Sequence, residues 1–224
     1  MARDLAIVLV SGGLDSAVCL ADAARGHDVA VLHLNYGQRT EARELAAFGD
    51  LADHYGIERR LVADVGHLRE IGGTSLVDAS LPVETGLPRQ GGPVPSTYVP
   101  FRNAHILAVG ASWAEVIGAR WLYIGAVQED GSGYPDCRRE FFEIFEAAIA
   151  AGTRPETNIG IRTPLIGLDK AAIVRRGLEL EAPLHLTWSC YTEQEEACGR
   201  CESCRLRLRG FAAAGMEDPI TYRG

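Results

Sequence analysis

Apolar residues follow two rhythms along this chain. Residues 5–10 (LAIVLV) and 28–34 (DVAVLHL) are short, nearly unbroken apolar runs rich in Val, Ile and Leu. Such runs suit strands buried on both faces of a parallel sheet. Residues 57–63 (IERRLVA) and 120–127 (RWLYIGAV) offer two more. Helical spacing marks 17–24, 40–55, 103–118, 141–152 and 169–179, with Thr40 and Asp169 at cap positions. Strand and helix alternating over short connections predict βαβ units: an α/β, Rossmann-like parallel sheet of about five strands. Residues 72–98 break both rhythms with GG, LP, GLP and QGGPVP. A stretch that long without periodicity reads as a functional loop, a lid or a dimer-facing segment. The last part carries cysteines on irregular structure and ends in a short helix or tail. The pattern therefore divides at about residue 180, into an α/β unit (1–180) and a cysteine-bearing extension (181–224).

Charge narrows the partners. The net charge is −8 and the pI near 5.3. That disfavours a broad footprint on nucleic-acid phosphates, which needs clustered Lys and Arg. Arg200, Arg205, Arg207 and Arg209 form a local exception, read as a solvated face or as ion pairs within the protein. No run approaches the roughly 20 apolar residues of a membrane span. The opening MARDLAIVLVSGG ends in SGG and reads as a buried strand, not a signal peptide. Six cysteines without an export signal point to a reducing, cytoplasmic setting.

Four of those cysteines, Cys190, Cys198, Cys201 and Cys204, are spaced Cys-x7-Cys-x2-Cys-x2-Cys. Four thiolates close the tetrahedral shell of zinc and leave no position for water, so the site reads as a structural clamp. A disulfide pair and an iron–sulfur cluster are the alternatives. Cys19 lies far from the cluster in sequence, and Cys137, also distant, reads as packing. The histidines show no metal spacing, and His185 is only a weak spare ligand. His33, inside the second strand, reads as a satisfied core histidine, with a place beside a bound nucleotide as its other assignment.

Chemistry must then sit elsewhere. Ser11-Gly12-Gly13-Leu14-Asp15-Ser16 joins the first strand to the first helix. The glycines allow a φ > 0 turn, and backbone N–H groups at a helix start form an anion site. Ser11 and Ser16 add hydroxyl donors. Asp15 repels bare phosphate, so a bridging Mg²⁺ is its expected role. Plain helix capping by Ser and Asp is the competing reading.

This loop lacks the lysine of the GxxxxGK[ST] motif. It resembles the pyrophosphate loop of the ATP pyrophosphatase, or PP-loop, superfamily, which implies that ATP is cut between its α- and β-phosphates. Five further segments extend the resemblance: LNYGQRTEAREL (34–45), TYVPFRNAHIL (97–107), IGAVQEDGSGYPDCRREFF (124–142), TPLIGLDKAAIV (163–174) and TWSCYTEQEEACGRCESCRLRLRGF (187–211). In this order they are similar to the QueC family of 7-cyano-7-deazaguanine synthases. The resemblance implies that 7-carboxy-7-deazaguanine, ammonia and ATP give the nitrile through adenylated carboxylate and amide intermediates. It also implies a homodimer. A related enzyme adenylating tRNA or another macromolecule is the alternative. The family pattern most often has Gly where Phe101 stands, so Phe101 is expected to reshape the pocket wall.

Site assignments follow. Arg102 would pair with a phosphate or the substrate carboxylate, and Lys170 would reach the ATP phosphates. Gly125, at a strand end, would let adenine or substrate approach the backbone. Tyr36, Gly37 and Gln38 would line the adenine or deazaguanine pocket. Tyr134 would stack, Asp136 would meet the guanine-like N–H edge or Mg²⁺, and Asn103 would cap a helix beside the substrate.

Overall fold

The computed structural model describes residues 3–87, 92–128 and 133–223. β1 (Leu5–Leu9) runs into α1 (Leu14–Gly26), β2 (Asp28–Asn35), α2 (Glu41–His54), β3 (Arg60–Asp64) and α3 (His67–Ile71). After the irregular stretch come α4 (Arg102–Ile117), β4 (Trp121–Ile124), α5 (Arg139–Gly152), β5 (Gly160–Arg162), α6 (Lys170–Glu179) and α7 (Glu202–Ala213). All five strands are parallel, in the order β3-β2-β1-β4-β5. The central strand β1 pairs Leu5–Leu9 with Asp28–Leu32 on one side and Ala6–Leu9 with Trp121–Ile124 on the other. Chain order therefore reverses between β1 and β4, and the carboxyl ends of those strands open the crevice where such sheets take ligands.

Alternate residues of each strand serve opposite layers. Val8 and Val31 pack with Leu20, Leu51 and Ile173 on the face covered by α1, α2 and α6. Ile7, Leu32 and Leu122 pack with Leu107 and Ile149 on the face of α4 and α5. The expected parallel sheet of about five strands is the one found.

Local details depart from the pattern. α1 begins at Leu14, not 17, because Gly13 takes the extended cap position; Asp15 and Ser16 thus lie in the first turn. β3 begins at Arg60, since the Arg60 Nε–H closes a turn onto the Ile57 carbonyl at 2.6 Å. Asp169 caps α6 as expected, accepting from Ala172 N–H at 2.7 Å. Thr40 precedes α2 but makes no cap bond; its hydroxyl donates to Glu44 at 2.7 Å. Asn103 does not cap α4. Phe101 holds that position in the left-handed region, φ 58°, and Asn103 lies inside the first turn. Between Ile71 and Arg102 the described residues form no helix or strand beyond an isolated bridge from Thr85 to Cys201. Residues 88–91 of that stretch, and 129–132 of the segment 124–142, lie outside the described residues. Among the described residues no helix is long and apolar enough to cross a membrane.

Candidate functional site

The loop after β1 is built for close approach. Gly12 has φ 86°, and a Cβ there would sit 2.7 Å from the Glu44 carbonyl oxygen. A side chain is therefore excluded twice, by conformation and by space. The Ser16 hydroxyl donates to the Gly13 carbonyl at 2.9 Å, and Gly13 N–H donates to Ser11 Oγ at 3.3 Å. The rest of the loop faces a cavity. The first turn of α1 presents Asp15, whose two oxygens accept from Lys170 Nζ at 2.9 and 2.8 Å. Lys170 opens α6, so this ion pair joins the starts of α1 and α6. Gly125, past the end of β4, faces the same turn: a Cβ there would lie 2.8 Å from the Asp15 carbonyl oxygen.

The cavity, about 280 Å³, opens at the switch point between β1 and β4. Ser11, Gly13, Leu14, Asp15, Ser16 and Lys170 line one end. Tyr36, Arg102, Tyr134, Tyr191 and Glu202 line the remainder, with Gly125 and Asn103 also on the wall. Arg102 Nη1–H donates to the Tyr36 hydroxyl at 3.1 Å and its guanidinium lies 5.7 Å from that ring's centre. The Tyr134 hydroxyl meets Thr97 Oγ1 at 2.7 Å. Burial, reinforced by the charge of Glu202, pushes the Tyr134 phenol up to about 12 despite that contact. It remains a neutral donor at any working pH.

Several assigned residues turn away from the cavity. The Asp136 carboxylate accepts the Asn103 backbone N–H at 2.9 Å, and its carbonyl accepts Asn103 Nδ2–H at 2.8 Å. Asp136 thereby satisfies the start of α4 from another segment, so the cap sequence reasoning gave to Asn103 is a 3₁₀ turn (Pro135–Cys137) acting in trans. Gln38 accepts from Tyr36 N–H at 3.0 Å and donates to Glu44 at 3.2 Å, bracing the turn after β2. Gly37 donates its N–H to Glu41 in the same turn. Phe101 is 55% exposed and packs edge-on against Phe141. It stands outside the cavity and does not reshape the wall. His33 is buried: Nδ1 meets the Val10 carbonyl at 2.9 Å, Nε2 has no hydrogen-bond partner among the described residues, so the ring is not the fully satisfied core histidine expected, and it reaches the cavity wall. Cys137 is half-buried and also touches the wall.

The four C-terminal cysteines converge. Their sulfurs lie within 4.8 Å of one another, Cys198 and Cys204 at 3.9 Å. Zinc–sulfur bonds of about 2.3 Å in a tetrahedron imply edges of about 3.8 Å. Backbone N–H groups of Thr192, Glu193 and Cys198 point at Cys190 Sγ at 3.4–3.5 Å, and Cys201 N–H at Cys198 Sγ at 3.3 Å. Donors aimed at sulfur stabilise thiolate, the form that binds metal. The residues thus fit a structural zinc ion, and among the described residues no histidine joins them.

The family model described as "Queuosine biosynthesis protein QueC" matches residues 5–215. The chain belongs to the QueC family. It is 56% identical over 218 residues to the 7-cyano-7-deazaguanine synthase of Chlorobium phaeobacteroides (strain DSM 266), covering 97% of this chain and 96% of that relative. It is 55% identical to the enzyme of the same name from Chlorobaculum tepidum, with the same coverage. Among solved structures, the U34-tRNA thiolase NcsA from Methanococcus maripaludis is similar at 14% identity and a TM-score of 0.45, over 82% of this chain and 59% of that one.

In this QueC-family chain three cavity features escaped sequence reasoning. Trp188 N–H donates to the Gly12 carbonyl at 2.8 Å, tying the cysteine-bearing segment to the phosphate loop. Tyr191 and Glu202, each next to a cysteine, reach the wall of the same cavity. Arg207 is 1% exposed and holds Asp218 through two bonds of 2.8 and 2.9 Å, with Thr187 and Ser189 on its third nitrogen. Of the two readings of the arginine cluster, Arg207 realises the internal ion pair. The TWSCYTEQEEACGRCESC run drew attention to its thiolates, and nothing in its spacing reveals which neighbours face inward.

Proposed function

We infer that this chain converts 7-carboxy-7-deazaguanine, ammonia and ATP to 7-cyano-7-deazaguanine. The observation that carries the reading is one cavity joining a phosphate loop to an aromatic, arginine-bearing chamber, in a chain that belongs to the QueC family.

The chemistry has two activations of one carbon. The substrate carboxylate oxygen attacks the α-phosphorus of ATP and pyrophosphate leaves, giving an acyl adenylate. Ammonia adds to the acyl carbon, AMP departs, a proton is released, and the primary amide remains. The amide oxygen attacks a second ATP, and pyrophosphate leaves again. Loss of AMP and a proton from the resulting imidate adenylate closes the carbon–nitrogen triple bond. AMP is a good leaving group in both halves, so one site serves both and no nucleophilic side chain is needed.

Catalysis then rests on positioning and on charge. Ser11, Gly12, Gly13, Leu14 and Ser16 would hold the departing pyrophosphate through backbone N–H and hydroxyl donors. Lys170, held by Asp15, would lie against the same charge. Mg²⁺ commonly enters with nucleotide phosphates and one or two carboxylates, and Asp15 suits that share. It would supply charge neutralisation at the phosphates. His33 and Gly125 would flank the adenine. Arg102 would orient the substrate carboxylate, with Tyr36 and Asn103 beside it. Asp136 and Gln38 would act through their neighbours, by fixing α4 and the Tyr36 turn. The zinc-binding cysteines would be structural. Cytoplasmic residence and a homodimer complete the proposal.

The test is turnover with 7-carboxy-7-deazaguanine, ATP, Mg²⁺ and an ammonium salt. Nitrile formation with two AMP and two pyrophosphate per product supports the reading. ATP binding without product directs the search to a tRNA or protein acceptor.

A further inference from the structure

Five buried side-chain atoms have no hydrogen-bond partner among the described residues: His27 Nδ1, His33 Nε2, Asn35 Oδ1, Arg39 Nε and the Tyr55 hydroxyl. Of these residues His33 alone lines the cavity. It stands near the carboxyl end of β2, 1% exposed, with its ring tilted against Phe48 at 5.2 Å between centres. Its Nδ1 lies 2.9 Å from the Val10 carbonyl, one residue before the phosphate loop. A carbonyl only accepts, so Nδ1 carries the ring proton, and Nε2 of the neutral ring is left as an acceptor. A buried acceptor without a donor destabilises the fold that contains it. Burial this deep gives water little access to Nε2, so its donor has to come from a group held against the cavity wall.

On the proposed reaction, that group belongs to ATP. Phosphate oxygens at neutral pH accept and do not donate, which leaves the adenine 6-amino group and the ribose hydroxyls. The triphosphate goes with the N–H groups of the loop. The base goes with apolar surface, and the strand ends beside His33 contribute Leu9, Leu32, Leu34 and Ile124 to the same cavity. The 6-amino group is the donor that a base brings to that surface. The same cavity must also hold a second purine-like ring and keep the two apart. Adenine carries an amine at the carbon where the deazaguanine carries a carbonyl. An acceptor facing that carbon bonds the first ring and repels the second. We propose that His33 is a specificity-determining residue for the nucleotide: Nε2 accepts from the adenine 6-amino group and turns away 6-oxo rings, whether of another nucleotide or of the deazaguanine. The side chain is held for this task, since the Val10 contact fixes its tautomer and Phe48 supports the plane of its ring. A site built to bond a polar group strongly rejects the analogue lacking it.

The experiment is calorimetric binding of three Mg²⁺-nucleotides to the intact chain: ATP, purine riboside triphosphate, which lacks the 6-amino group, and inosine triphosphate, which has a 6-oxo group. The wild type is expected to bind the 6-desamino nucleotide about 10-fold more weakly than ATP and the 6-oxo nucleotide about 100-fold more weakly. His33→Asn keeps an amide N–H for Val10 and removes the atom at Nε2. It should lose most of the preference for ATP, while KM for 7-carboxy-7-deazaguanine stays within about twofold. Melting temperature reports whether the variant folds; if it does not, the wild-type comparison decides alone. Equal affinity of the wild type for ATP and the 6-desamino nucleotide overturns the assignment, as does a folded His33→Asn that keeps the full preference. A variant that loses only discrimination against 2′- or 3′-deoxy-ATP also overturns it, by moving the contact to the ribose. Wild type that binds none of these nucleotides overturns instead the reading of the cavity as an ATP site, on which this inference rests.

Discussion

Asp15 and Lys170 meet where α1 and α6 begin, 155 positions apart in sequence. Their pair holds the lysine against the phosphate loop, so each substitution should affect chemistry more than folding. Asp15→Ala is expected to lower kcat at least about 1,000-fold while the melting temperature changes little, since the carboxylate is partly exposed. A steady-state assay beside a thermal melt checks this, and retained turnover removes Asp15 from the site. Gly125→Ala would press a methyl to 2.8 Å from the Asp15 backbone, displacing the turn that carries this pair. Activity should fall at least 10-fold with the core intact. Phe101 gives the opposite case. It holds φ 58° at the surface, so Phe101→Gly should stabilise the protein by roughly 1 kcal/mol in denaturant titration, with kcat unchanged.

At the scale of elements, periodicity revealed most of the sheet and its helices, because buried strands and amphipathic helices write long, repeated patterns. β5 left no such pattern: three residues pair with β4 and are specified by their neighbours. The phosphate loop and the thiolates were legible since their chemistry lies in contiguous residues. Glu202 and Arg207 were not, because their inward direction is set by α7 packing on α6, and Tyr191 was not, because it sits on irregular chain that leaves no periodic pattern. α7 itself is anchored twice, by the cysteine cluster and by the Arg207–Asp218 pair, both side chains at most 3% exposed. Removing one partner leaves the other charge buried. Arg207→Met should therefore cost about 3–5 kcal/mol, and adding Asp218→Leu should restore a good part of it. Chemical denaturation of the single and double variants measures the coupling. Stripping zinc with a chelator should lower the melting temperature by several degrees before initial rates decline; an unchanged melt contradicts a structural metal.

For the whole molecule, the account joins three pieces around one crevice. The strand order reverses between β1 and β4, and the phosphate loop and the cysteine-bearing segment both line the opening. The Trp188–Gly12 bond links the last two, so the cysteine-bearing segment and the loop are tied together despite their separation along the chain. The net charge of −8 fits a small-molecule substrate better than an extended RNA backbone. The most direct test is product analysis by mass spectrometry after incubation with 7-carboxy-7-deazaguanine, ATP, Mg²⁺ and ammonium. The account predicts the nitrile, with two AMP and two pyrophosphate for each molecule formed. Formation of ADP and phosphate, or AMP release without any nitrile or amide, would contradict it.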